Sequence, residues 1–223
     1  MQKISEKTAA ALLRFRDAWR RSREARRKAL RRTAQIYIAG TLAFFALFLL
    51  VAYTPLGLAL GEPQCECTPF DELADDAEAV VILGGDPVRA ADAVKVFYAG
   101  KARRIVVSSD ELRMLDVLRG ARVPEDKIAV DPAPLRTIDH PRTIQACGIT
   151  PDTKIIITST GLQERRAAHL FREAGYTNFQ IYSQTHEIRY PYLRASGQML
   201  GVKGAVDVFY AYLAWLKHAL VDF

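Results

Sequence analysis

Short apolar runs separated by helix-periodic stretches fill the chain from Ala79 to Tyr182. Ala79–Leu83, Arg104–Ser108, Lys127–Val130, Lys154–Thr158 and Phe179–Tyr182 are brief and rich in Val and Ile, the character of buried strands. Pro87–Ala99 reads as a helix with Pro near its start and Gly100 at its end. Glu111–Gly120 carries Leu112, Leu115 and Leu118 at helical spacing, and Gln163–Ala174 is closed by Gly175. Thr137–Ala146 is predicted helical, with Pro141 as an early interruption. Strands alternating with helices predict an α/β, Rossmann-like parallel sheet with helices on both faces. A last helix, Gly204–Leu220, sets Val208, Tyr212, Trp215 and Ala219 on one side. That side either packs on the sheet or turns its aromatic rings to a membrane or partner.

A different pattern precedes this domain. Thr33 to Gly61 contains no charged residue, and Ile36 to about Leu56 supplies the ~20 apolar residues that a bilayer core requires. Tyr37 and Tyr53 stand near its ends, where aromatic rings favour the interface. The run is longer than a signal-peptide core and no A-x-A site follows, so an uncleaved signal anchor is expected. One transmembrane helix therefore precedes the α/β domain.

Charge sets the orientation. Residues 1–32 hold twelve Lys or Arg against three acids, a net +9, which leaves −3 for the rest of a chain of net +6. Basic residues beside a span remain cytoplasmic, so 1–32 is expected inside and the domain outside the cytoplasm. The tail has a helix-forming composition, and its arginines suit anionic lipid headgroups. A solvated tail that serves only topology is the plainer alternative. Nucleic acid is not expected as a partner, because no aromatic platform or recognition motif accompanies the charge. The organisation is thus a tail (1–32), an anchor (33–61), a Pro-containing acidic linker (62–77) and an extracytoplasmic α/β domain (78–223).

Open parallel sheets bind ligands beyond the carboxyl ends of their strands. Those ends read Gly84-Gly85-Asp86, Ser108-Ser109-Asp110, Asp131 and Ser159-Thr160-Gly161. The paired glycines permit close backbone approach, the next helix offers amides to an anion, and Arg89 is placed to clamp it. Each turn taken alone also reads as turn geometry or a helix cap. Neither nucleotide-binding fingerprint, G-x-G-x-x-G or G-x-x-x-x-G-K-[ST], is present. Cys65 and Cys67 lack the spacing and second ligand pair of a zinc site. A disulfide from one of them to Cys147 ranks ahead of free thiols, and those ahead of metal. No cofactor and no metal ion are expected.

The succession "VVILGG…R", "YAGKA.RIVVSS", "VPEDKIAVD", "RTIDH" and "IIITST…ERRAAHLFREAGY", over Val80 to Tyr182, resembles the ElyC/SanA/YdcF envelope-protein family. The resemblance implies a membrane-anchored Rossmann-like domain facing the periplasm or outer surface of a bacterial plasma membrane. It also implies a role in peptidoglycan or lipid-carrier metabolism or in envelope integrity. By the same likeness, Gly84, Gly85 and Arg89 match the family's first turn and helix. Ser108 is kept from a Ser-Gly-Gly element that here ends in Asp110. Thr137 and Asp139 keep part of an Asn-Thr-x-Glu-Asn element that here ends in His140. Gln163 replaces the family's His, with Ser159, Thr160 and Arg166 around it.

Gln orients a group but takes up no proton, so catalysis is expected to be impaired or absent. Asp139, His140 and Gln163 are the candidate catalytic positions. Gly84, Gly85, Asp86, Arg89, Ser108, Asp110, Ser159, Thr160 and Arg166 are the candidate ligand positions. If activity is retained, a phosphorylated envelope precursor is the expected substrate. The alternative is a non-catalytic accessory subunit of a larger membrane complex.

Overall fold

The computed structural model describes residues 2–64, 66–134, 136–160, 162–184, 193 and 198–221. They form two compact units, 1–49 and 50–223. The first is the body of one long helix, α1 (Gln2–Tyr53). Within its stretch Arg26–Tyr53 an 18-residue window has a mean hydropathy of 2.2, and the stretch is long and apolar enough to cross a membrane. Ile36, Tyr37 and Leu42, spread round the helix, are 72%, 73% and 65% exposed. Such a helix is compatible with a single-pass anchor.

α1 stops sooner than the uncharged run does. Thr54 is extended (φ −134°, ψ 164°), as a residue before proline prefers, and its hydroxyl accepts from the Leu56 N–H at 3.3 Å. Pro55 then opens a separate helix, α2 (Pro55–Gly61). The segment 33–61 expected as one anchor is therefore divided at Thr54.

In the second unit, β1 (Ala79–Leu83), β2 (Ile105–Ser108), β3 (Ile128–Asp131), β4 (Ile155–Thr158) and β5 (Phe179–Tyr182) form one sheet. Its order is β3-β2-β1-β4-β5, parallel throughout. Alternate side chains enter two cores. Val80, Ile82, Ile105 and Val107 meet Ala90, Ala93 and Val96 of α3 (Val88–Tyr98) and Met114 and Leu118 of α4 (Leu112–Gly120). Val81, Leu83, Val106 and Ile157 meet Ile144 and Ile149, with Ala167, Ala168 and Phe171 of α6 (Glu164–Glu173). Burial on both faces explains why these strands are continuous apolar runs.

Segment 62–77 is less of a free linker than its composition implies. The Thr68 N–H donates to the Ile181 carbonyl at 2.7 Å, and Leu73 and Ala77 are buried in the first core. The helix before β4 also begins later than expected. It is α5 (His140–Thr143), continued by a 3-10 turn through Cys147, with Pro141 inside its first turn. Proline starts this helix rather than interrupting it, because first-turn N–H groups have no intrahelical acceptor to lose.

The last helix is α7 (Gly201–Val221). It buries Ala205, Val208, Ala211 and His218, whereas Tyr212 is 42% exposed and Ala219 lies outside, so of the four residues singled out on one side only Val208 is buried. Tyr212 nevertheless donates its hydroxyl to the Leu60 carbonyl of α2 at 3.2 Å. Cys147 carries a free thiol, which removes the expected bridge to it, and Cys65 lies outside the described residues. Burial pushes the Cys147 thiol up.

Candidate functional site

β1 is central, and the chain leaves it toward β2 on one side while β4 flanks it on the other. The strand order therefore reverses at β1, where open α/β sheets form a crevice. A cavity of about 650 Å³ lies there, floored by Gly84, Gly85, Ser108 and His140. Tyr210, Leu213 and Lys217 of α7 form its far wall. Both glycines have a steric reason. A Cβ on Gly84 would come within 2.8 Å of Ser109 Oγ, and Gly85 has φ +116°, which disfavours any side chain.

Sheet register builds the polar floor. Ser108 is paired with Asp131 across β2 and β3, and its hydroxyl donates to Asp131 Oδ2 at 3.1 Å. His140 Nδ1 lies 2.8 Å from the same hydroxyl. The single hydroxyl proton is already given to the carboxylate, so Nδ1 must carry the hydrogen and donate. His140 is thereby held as one tautomer, with Nε2 on the opposite edge of the ring as an acceptor. All three residues are buried. Burial lowers His140 to about 4, and the Arg89 charge adds to this, while Asp131 and Asp139 oppose it. Near neutral pH the ring is uncharged. It accepts hydrogen bonds well but is a weak base for proton transfer.

Arg89 does not line the cavity and lies behind the Gly84–Gly85 turn. It is 4% exposed. Its Nε donates to Thr160 Oγ1 at 3.0 Å, one terminal nitrogen reaches the Leu83 carbonyl at 3.0 Å and the Gly84 carbonyl, and the other reaches Gln163 Oε1 at 3.2 Å. The guanidinium thus pins the Gly84–Gly85 turn to the β4 end. Burial opposes its charge, and Glu164 and Asp86 support it.

Glu164 begins α6 and is fully buried. Neither carboxyl oxygen makes a hydrogen bond of ordinary geometry among the described residues. Burial pushes its carboxyl up to about 7, against the opposing pull of its own N–H, the Arg89 charge, Ser183 and the Gln163 N–H.

Of the positions singled out from sequence, Gly84, Gly85, Ser108, Asp110, His140 and Arg166 line the cavity. The others lie behind it or to the side. Asp86 caps the Val88 N–H at 3.0 Å. Asp139 Oδ2 accepts from the Arg136 N–H at 2.9 Å, closing the turn into α5. Thr160 and Gln163 are partners of Arg89, and Ser159 is buried. Gly161 lies outside the described residues. Glu164 was missed because its burial depends on what packs over the α6 start, which a charged first-turn residue does not reveal. The α7 wall was missed because no sequence pattern fixes where a terminal helix docks.

Comparison with protein-family models, with curated proteins and with solved structures gives no match. The fold and the N-terminal helix define the class on their own: a Rossmann-like α/β domain following an apolar helix long enough to span a membrane.

Proposed function

We propose that this chain is a single-pass bacterial envelope protein, N-terminus in the cytoplasm, whose extracytoplasmic domain binds a phosphorylated envelope precursor in the sheet-edge cavity. The carrying observation is the cavity itself. It opens at the reversal of strand order, is bordered by Arg136, Arg166 and Lys217 against Asp110 and Glu111, and has apolar wall from Leu170 and Leu213. Cationic and apolar surfaces together suit a phosphate joined to a lipid or sugar. The resemblance to ElyC/SanA-type proteins supports the envelope setting, and the basic tail supports the orientation and a contact with anionic headgroups.

The same site favours binding over turnover. His140 is held at about 4, Gln163 is engaged by Arg89, and Glu164, whose carboxyl is pushed up to about 7, does not line the cavity. An accessory subunit of a larger membrane complex is the second reading, favoured by the low value of His140 and the engagement of Gln163 by Arg89. Extraction of the full chain from its native membrane in mild detergent, followed by mass spectrometry, separates the two. A co-purifying phosphorylated small molecule supports the binding role. A stoichiometric set of membrane proteins without one supports the accessory role and overturns the first.

A further inference from the structure

We propose that His169, Glu173 and His218 form a zinc-type metal site that ties α6 to α7 beside the cavity. His169 and Glu173 are four residues apart on α6 and so lie on one face of that helix. His218 comes from α7 and reaches the same point. His169 Nε2 is 3.3 Å from Glu173 Oε1, His218 Nε2 is 3.5 Å from Glu173 Oε2, and all three ligand atoms lie within 4.8 Å of one another. Ligands ~2.0–2.2 Å from a tetrahedral ion stand roughly 3.3–3.5 Å apart; each imidazole stands at that distance from one of the two Glu173 oxygens, and a closing shift on the order of 1 Å brings one donor from each residue to coordination.

The donor set selects the ion class. Two imidazoles and one carboxylate suit Zn²⁺ and neighbouring first-row metals, whereas Mg²⁺ and Ca²⁺ call for oxygen ligands. Three protein ligands leave a fourth position open. The ring of Trp215 lies 5.0 Å from that of His169 and 6.4 Å from that of His218, giving the site an apolar wall. His218 also lines the cavity, so the ion sits at its edge and fixes α7 as the far wall. No redox or group-transfer step is involved. The alternative occupant is no ion at all, with the imidazoles simply paired to Glu173.

The test uses the full chain in detergent, purified without a polyhistidine tag, stripped with a chelator and titrated with Zn²⁺ against a chromophoric competitor. One ion per chain with micromolar or tighter affinity is expected, and Co²⁺ should give the visible absorption of a four-coordinate site. Glu173→Gln keeps the side-chain shape at a half-exposed position and should weaken binding ~10–100-fold or more, as should His218→Asn. With Trp19→Phe as background, Trp215 fluorescence should be quenched by Co²⁺ in the parent and not in either variant. Retained cooperative unfolding shows that each variant is folded. Absence of stoichiometric binding, or binding that Glu173→Gln leaves unchanged, overturns the proposal. The result is independent of what the cavity holds.

Discussion

Glu164→Gln isolates one titration and exposes a second. Folded, the Glu164 carboxyl stands at about 7 against an ordinary value of 4.5, because burial outweighs every group that favours its charge. The native state keeps this proton over a range where the unfolded chain has released it. Its stabilising contribution is therefore complete below about pH 4.5 and is lost as pH rises through about 7. A gap of about 2.5 units at about 1.36 kcal/mol each amounts to about 3 kcal/mol.

His140 slopes the other way. Its folded value of about 4 lies below its ordinary 6.5, so its contribution is present above about pH 6.5 and is lost as pH falls through about 4. Between about 4.5 and 6.5 the two slopes cancel, and the parent protein should be nearly flat in stability. Gln mimics the neutral acid and cannot titrate. The variant should match the parent near pH 4.5, climb by about 1.4 kcal/mol per unit up to pH 6.5, and exceed the parent by about 3 kcal/mol at pH 8. Urea unfolding of the full chain in detergent at half-unit pH steps, followed by Trp215 fluorescence in a Trp19→Phe background, measures the difference. A difference that does not vary with pH would refute the assignment of Glu164 as a buried neutral acid.

Arg89→Met should lower stability by about 3–5 kcal/mol in the same urea assay, since it leaves the Leu83 and Gly84 carbonyls without their donor. Ser108→Ala should lower it by about 1–3 kcal/mol and release the tautomer of His140, visible in the ring nitrogen NMR shifts. Arg at both Phe45 and Leu49 adds about 2.5–3.5 kcal/mol of insertion cost per residue. The protein should then be lost from the carbonate-resistant membrane fraction.

The five strands were legible because burial on both faces leaves runs of Val and Ile bounded by turns, and only their ends moved by a residue. The apolar part of α1 was legible because its side chains are apolar all round the helix. Side-chain direction was not legible. Arg89 at the start of α3 looked like an anion clamp. Whether an arginine there faces the cavity or the neighbouring strand end depends on Thr160 and Gln163, more than seventy residues further along. Sequence set His140 among the candidate catalytic positions, in the turn before Pro141, without showing what it would face. Pro141 in the first turn of α5 places it against Ser108, a contact that only the β2–β3 register creates. Tertiary contacts of this kind leave no periodic trace.

The most direct measurement of the central claim is a binding comparison between a polyisoprenyl phosphate and the corresponding free alcohol, on the full chain in detergent. Both ligands share the lipid, so any difference reports the phosphate. The account predicts saturable binding of the phosphate alone, weakened at least tenfold when Arg166 and Lys217 are both changed to Ala, with unfolding still cooperative. Equal binding of the two ligands, or phosphate binding that the double variant leaves intact, would contradict it.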